Sequence, residues 1–289
     1  MTNSHPYAVA RHVNPRKRVT DGLHAHAARR ILRLRSDSAH TPMAAPPLRT
    51  ESVSIASGLS GYLAKPTGVP GIGVAVMMEA FGLNAFVKGV CERFARAGYM
   101  ALAPDIYHGD TYPYTDREGA IARVGEVDDD VAMREVGASL DMLTAQGARD
   151  GRLAIIGFCM GGRLAFLANA VHGNRLAASV SFYGGGIAPA VPRGKRKPLV
   201  DRVGELSAPQ LLIYGARDAS IASDEHARLA KALSDANKRY TLAVLPDAPH
   251  AFATFDRESY HAPAAEAAWR IAFAFFVDTF MQGSAAAYA

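Results

Sequence analysis

Short apolar runs alternate with helix-period stretches along most of the chain. Residues 51–56 and 59–66 alternate polar and apolar side chains on either side of Ser57-Gly58, the pattern of a β-hairpin. Apolar runs at 71–79, 99–106, 152–158, 177–183, 209–215 and 240–246 read as buried strands. Helical spacing runs through 85–97, 128–146, 160–172 and 222–236, and a long last helix is expected over 263–281. This alternation predicts an α/β fold in one domain, a mainly parallel sheet flanked by helices on both faces. In that architecture crossovers are right-handed and sites form at the carboxyl ends of the strands. The domain is expected over 51–281, after an N-terminal arm at 1–50 and before a tail at 282–289.

One strand-to-helix junction carries chemistry. The run Leu153-Ala154-Ile155-Ile156 ends in Gly157-Phe158-Cys159-Met160-Gly161 and passes directly into a helical pattern. Gly-x-Cys-x-Gly in that context has the form of a nucleophile elbow, with sulfur in place of the usual hydroxyl. Glycines flank such a turn because neighbouring side chains would collide. The helix start behind it favours negative charge at the sulfur and at a developing oxyanion. The competing reading is a small buried hydrophobe, the ordinary fate of an unpaired cysteine.

An acid and a base follow in the order of an α/β-hydrolase triad. Asp218 stands at the lip of the strand 209–215, and His250 follows the strand 240–246 within Asp247-Ala248-Pro249-His250. Asp218 is also a candidate helix cap, and His250 is one of ten histidines. Their order and their positions at strand ends favour the catalytic reading. Glu79 ends another apolar run, where a carboxylate is costly unless it has a partner.

These residues, together with Glu79-Ala80-Phe81-Gly82-Leu83-Asn84, Ala103-Pro104-Asp105-Ile106-Tyr107, Gly215-Ala216-Arg217-Asp218 and Pro249-His250-Ala251-Phe252, resemble the dienelactone hydrolase family. The resemblance extends from about Glu51 to Met281. It implies an α/β-hydrolase fold and a cofactor-independent hydrolase of esters or lactones acting through an acyl-enzyme. Cys159 is then the nucleophile, His250 the base and Asp218 the residue that orients the imidazole. Glu79 takes the position of the family's extra carboxylate, which helps switch the thiol to thiolate. The Met160 and Ala80 amides form the oxyanion hole, in line with the general rule for this fold. Phe81, Tyr107, His108 and Phe252 are the expected substrate contacts. A thioesterase, an acyl transferase or a non-catalytic binding protein would use the same constellation.

Two positions depart from that pattern. Dienelactone-cleaving members grip the substrate carboxylate with two arginines, and those positions hold Gly109 and Thr254 here. Without the two guanidinium forks, dienelactone itself is not the expected substrate. His108, Arg117, Arg123 and Arg257 are near the expected mouth in sequence, each more naturally read as a surface charge.

Composition then narrows the setting. With 289 residues, 49% of them apolar, the chain can bury one large core. Two cysteines make no disulfide framework; Cys91, in a helical pattern, reads as core. Free thiols without a secretion signal point to a cytoplasmic protein. No apolar run nears the ~18 residues a membrane span needs. The net charge of +5 is misleading, because residues 1–50 hold 9 of the 32 basic residues but only 2 of the 27 acidic ones. The body is therefore near neutral. The arm reads as a disordered extension, with nucleic-acid binding or transit-peptide character as weaker alternatives, and Met43 is a candidate start. No His/Cys cluster has metal-ligand spacing and no dinucleotide fingerprint is present, so no cofactor or metal is expected. The loops 107–119 and 184–206 are expected as pocket walls; in the second, Gly184-Gly185-Gly186 lacks the rest of a phosphate loop, and the basic run 193–197 reads as a solvated loop ahead of the alternative that it attracts acidic substrates. The expected partner is a small ester or lactone; the chain is read as a monomer or small homo-oligomer.

Overall fold

The structure, a computed structural model, describes residues 47–68, 71–149, 151–191 and 196–286. The arm, apart from residues 47–50, and the Met43 start site lie outside the described residues. Among the described residues, eight strands form one sheet: β1 (Leu48–Ala56), β2 (Leu59–Pro66), β3 (Gly73–Met77), β4 (Met100–Pro104), β5 (Leu153–Phe158), β6 (Leu176–Phe182), β7 (Gln210–Gly215) and β8 (Tyr240–Leu245). Their spatial order is β1-β2-β4-β3-β5-β6-β7-β8. The β1–β2 hairpin joins antiparallel to β4, and every pair from β4 to β8 is parallel. The expected mainly parallel sheet is therefore present.

The strand sequences explain their positions. β3, β4, β5 and β7 are buried at every residue, as strands covered on both faces must be. β1 lies at the edge, half exposed, with a bulge between Ser54 and Ala56 that interrupts its pairing register.

Among the described residues there are six α-helices: α1 (Ala85–Arg96), α2 (Arg117–Glu126), α3 (Asp129–Ala145), α4 (Met160–His172), α5 (Ser223–Asp235) and α6 (Ala262–Ala286). α1 starts where the Asn84 side chain accepts the Val87 amide, and it ends with Arg93 and Arg96 against the negative helix terminus. Phe94 packs against Trp269, Phe273 and Phe276, joining α1 to α6 over one face of the sheet. α3 and α4 pack together over the other. Cys91 is fully buried in this core, as expected, and burial pushes its thiol pKa far up. α6 runs to Ala286, past the boundary anticipated at 281. Among the described residues no helix is long and apolar enough to cross a membrane.

α2 was not anticipated. It contains two glycines and buries only Ala120, so its sequence carries almost no helical periodicity. Its start is local chemistry instead: the Asp116 carboxylate accepts the Gly119 amide at 2.9 Å. α2 follows the β4 loop and forms one wall above the strand ends.

Candidate active site

Four of the predicted residues follow the carboxyl ends of parallel strands: Glu79 after β3, Cys159 after β5, Asp218 after β7 and His250 after β8. Non-glycine residues with left-handed backbones gather at the same edge, including Cys159 (φ 54°), Tyr183 (φ 40°) and Ala251 (φ 60°). Such conformations persist only where the surroundings enforce them.

At the elbow the enforcement is steric. Cys159 (φ 54°, ψ −115°) joins β5 to α4. A Cβ on Gly157 would overlap the Gly161 carbonyl, and one on Gly161 would overlap the carbonyls of Met77 and Met78. The Cys159 amide donates to Phe182 O at 3.0 Å, while its carbonyl accepts from the Gly162 and Arg163 amides. The half-buried sulfur therefore faces outward at a helix start whose first amides have no intrahelical acceptor. Because the blocking atoms are backbone, Gly161→Ala is expected to cost about 3 kcal/mol or more. Urea denaturation would show it; a loss below about 1 kcal/mol would mean that the elbow yields easily.

Asp218 and His250 come together at the strand ends. Asp218 Oδ2 lies 2.7 Å from His250 Nδ1, and the Asp218 side chain is fully buried. Its Oδ1 accepts the amides of Ser220 and Ile221 at 2.7 and 3.2 Å, a turn closed by the side chain rather than a helix cap. His250 and Cys159 line the same cavity. The Tyr183 ring stands edge-on to the imidazole, with centroids 5.2 Å apart. Burial alone lowers the imidazole pKa, but the charge on Cys159 and the hydrogen bonds to Asp218 and Cys159 outweigh it, raising the value to about 10.

Glu79 is buried in a polar cage. Asn84 Nδ2 donates to its Oε1 at 3.2 Å, Thr254 Oγ1 donates to its Oε2 at 3.4 Å, and Arg257 Nη1 lies 3.6 Å from Oε2. Burial raises its pKa, against the opposing pull of Tyr114, Arg257, Asn84 and His250. Among the described residues no hydrogen bond joins Glu79 to Cys159.

A cavity of ≈ 500 Å³ opens over the sulfur, with Cys159 and His250 in its floor. Ala80, Phe81 and Met160, Ile121 and Val124 of α2, and Pro189 and Ile221 line it. Three expected substrate contacts are not in this wall. Tyr107 is buried behind it, donating its hydroxyl to Ala80 O at 3.2 Å. Phe252 is fully buried against Phe182 and Tyr183. His108 turns away, with Nδ1 3.1 Å from Gly58 O and Nε2 3.1 Å from Glu135. Phe81 does line the cavity. Of the three arginines near the mouth, Arg117 and Arg257 line it, whereas Arg123 stacks on Tyr107 and pairs with Asp110.

Residues 59–280 match the dienelactone hydrolase family. The chain belongs to that family. It is 32% identical to a provisionally assigned carboxymethylenebutenolidase of Salmonella typhimurium over 254 residues, covering 80% of this chain and 91% of that protein. An Escherichia coli K12 protein of the same provisional assignment is 36% identical over 207 residues, covering 68% and 73%. Among solved structures, a provisionally assigned dienelactone hydrolase from Klebsiella pneumoniae superposes with a TM-score of 0.74 at 33% identity, covering 80% of this chain and 99% of that one. This dienelactone hydrolase-family chain is a hydrolase of ester or lactone bonds.

Within the family frame the two departures have physical settings. Gly109 has φ 109°, a backbone region that a side chain disfavours, and its amide donates to Asp105 Oδ2 at 2.8 Å. Thr254 is fully buried and links the Tyr183 hydroxyl, at 3.4 Å, to Glu79. Neither position presents a cation to the cavity. Two further arginines line it: Arg196, in the loop 184–206 expected as a pocket wall, and Arg163, which the sequence reading did not single out. Arg163 stands two residues beyond Gly161 and is gripped by both oxygens of Asp129, at 2.7 and 2.8 Å.

Proposed function

We propose that this chain cleaves esters or lactones through an acyl-enzyme on Cys159, using Cys159, His250 and Asp218 as a triad. The observation that carries this is His250, bonded through Nδ1 to the buried Asp218 carboxylate at 2.7 Å and lining one cavity together with Cys159. The thiolate attacks the acyl carbon, and the tetrahedral oxyanion sits between the Met160 and Ala80 amides. His250, protonated, gives its proton to the leaving alkoxide as the carbon–oxygen bond breaks. Water then enters and His250 takes its proton, the oxyanion re-forms, and collapse frees the carboxylic acid and the sulfur. Asp218 holds the imidazole with Nδ1–H toward it throughout. Glu79, close to His250 and paired with Arg257, adjusts the charge around the thiolate–imidazolium pair.

A short pulse of an aryl ester tests this directly. Intact-protein mass spectrometry is expected to show one added acyl group, and peptide mapping to place it on Cys159. Turnover with no acyl group at any time after mixing, or with the group elsewhere, would remove the proposal.

A further inference from the structure

The cavity wall is cationic in a way the chemistry above does not use. Arg117, Arg163, Arg196 and Arg257 line it, and among the described residues no aspartate or glutamate does. Three of the four have evident settings. Arg163 is held by Asp129, with a further bond to Lys197 O, so that only its Nε lacks a partner. Arg257 lies over the rings of Phe81 and Tyr114, at 5.0 and 5.5 Å, beside Glu79. Arg117 is exposed at the first turn of α2.

Arg196 differs from all of these. Its Nε and Nη2 are shielded from solvent and have no hydrogen-bond partner among the described residues. Burial lowers its pKa, and the neighbouring Arg163 guanidinium lowers it further, against opposing pulls that include Cys159. A guanidinium withdrawn from water with open donors is costly unless an acceptor arrives. Nε and Nη2 form one edge of the guanidinium, the pair that holds both oxygens of one carboxylate in parallel. Arg196 is among the residues that line the cavity over the sulfur.

We propose that Arg196 is the specificity residue of this site, binding a carboxylate of the substrate through Nε and Nη2. The favoured substrates are then esters or lactones that carry a second, free carboxylate. The inference rests on the reading of Cys159 and His250 as the reacting pair. It returns an anion-binding fork to a site where Gly109 and Thr254 supply none, but from the segment after β6 instead of those following β4 and β8. A charge-assisted fork also prefers planar carboxylates over neutral amides, because only the anion fills both donors with charge complementarity.

The test compares matched esters on wild type, Arg196→Gln and Arg196→Lys. On the acyl side, 4-nitrophenyl hydrogen glutarate is set against 4-nitrophenyl pentanoate; on the alcohol side, 4-acetoxybenzoate against 4-methylphenyl acetate. Arg196→Gln is expected to lose about 30-fold in kcat/KM on at least one carboxylated ester, mostly through KM, and to stay within about twofold on both neutral esters. Arg196→Lys keeps a point charge without the fork and should recover part of that loss. Equal losses on charged and neutral esters, or no loss on any, would overturn the assignment. Wild-type protein supplies a readout free of folding changes: glutarate should inhibit neutral-ester hydrolysis competitively, and glutaramide at the same concentration should not. Equal inhibition by both, or by neither, counts against Arg196. Cys159→Ala run on the neutral esters separates the two ideas. Activity surviving there defeats the nucleophile, whereas a missing charge preference with that activity lost defeats only the role of Arg196.

Discussion

Cys159→Ala is expected to lower kcat/KM for esters and lactones by about 10⁴-fold or more while leaving the fold in place. The sulfur is half-buried at the mouth of α4, so its removal opens no core cavity. Alanine meets the same φ of 54° that cysteine already tolerates, so the elbow adds no new backbone strain. A second readout should move with activity. Charge and hydrogen bonding at Cys159 help raise the His250 imidazole, so its pKa in the alanine variant should fall below the wild-type value of about 10. Imidazole NMR titration would follow it. A variant that still turns over at the wild-type rate would end the case for a covalent thioester. An unmoved imidazole would separate His250 from the sulfur.

Asp218→Asn should cost about 10³-fold in kcat/KM with little loss of stability. Asparagine retains an oxygen for the Ser220 and Ile221 amides, so the turn should survive. What changes is the face toward His250 Nδ1, where an acceptor at 2.7 Å becomes an amide donor. The imidazole then prefers the wrong tautomer, with its proton directed at Cys159. The pH profile adds a sign. A group raised above the ordinary imidazole value of ~6.5 stays protonated through neutral pH and loses its proton only as pH passes its folded value. An enzyme that starts from thiolate and imidazolium therefore stays active into the alkaline range and declines as His250 deprotonates. Removing the Asp218 charge deletes one cause of the elevation, so that alkaline limb should move to lower pH. A limb at the wild-type position in the asparagine variant would mean that Asp218 does not govern the imidazole.

Much of the architecture was readable from local pattern, for reasons visible in particular elements. β3, β5 and β7 are unbroken apolar runs, because a parallel sheet under two helical layers buries both faces of each strand. Cys159, Asp218 and His250 were legible as a set because the fold ties each to a strand end, so chain order carries spatial meaning. Side-chain direction carries no such order. Tyr107 and His108 are adjacent in sequence, yet one packs beneath the cavity and the other, at φ 57°, turns toward Gly58 and Glu135. Arg196 shows the same limit within one loop: the segment 184–206 reads as a pocket wall and its basic run as solvated, and only the structure shows which of those cations lines the cavity. α2 stayed hidden because a short helix with one buried residue has no apolar stripe to detect.

The cysteine usage of this chain has a practical consequence. One thiol borders an open cavity, and the other, Cys91, is sealed within the α1 face of the core with no exposed surface. An alkylating reagent therefore meets two very different clocks in one polypeptide. Modification of Cys159 follows access to the cavity, while modification of Cys91 waits for the core around α1 to open. Without any engineered label, the pair distinguishes a ligand that merely occupies the cavity from one that stabilises the whole domain.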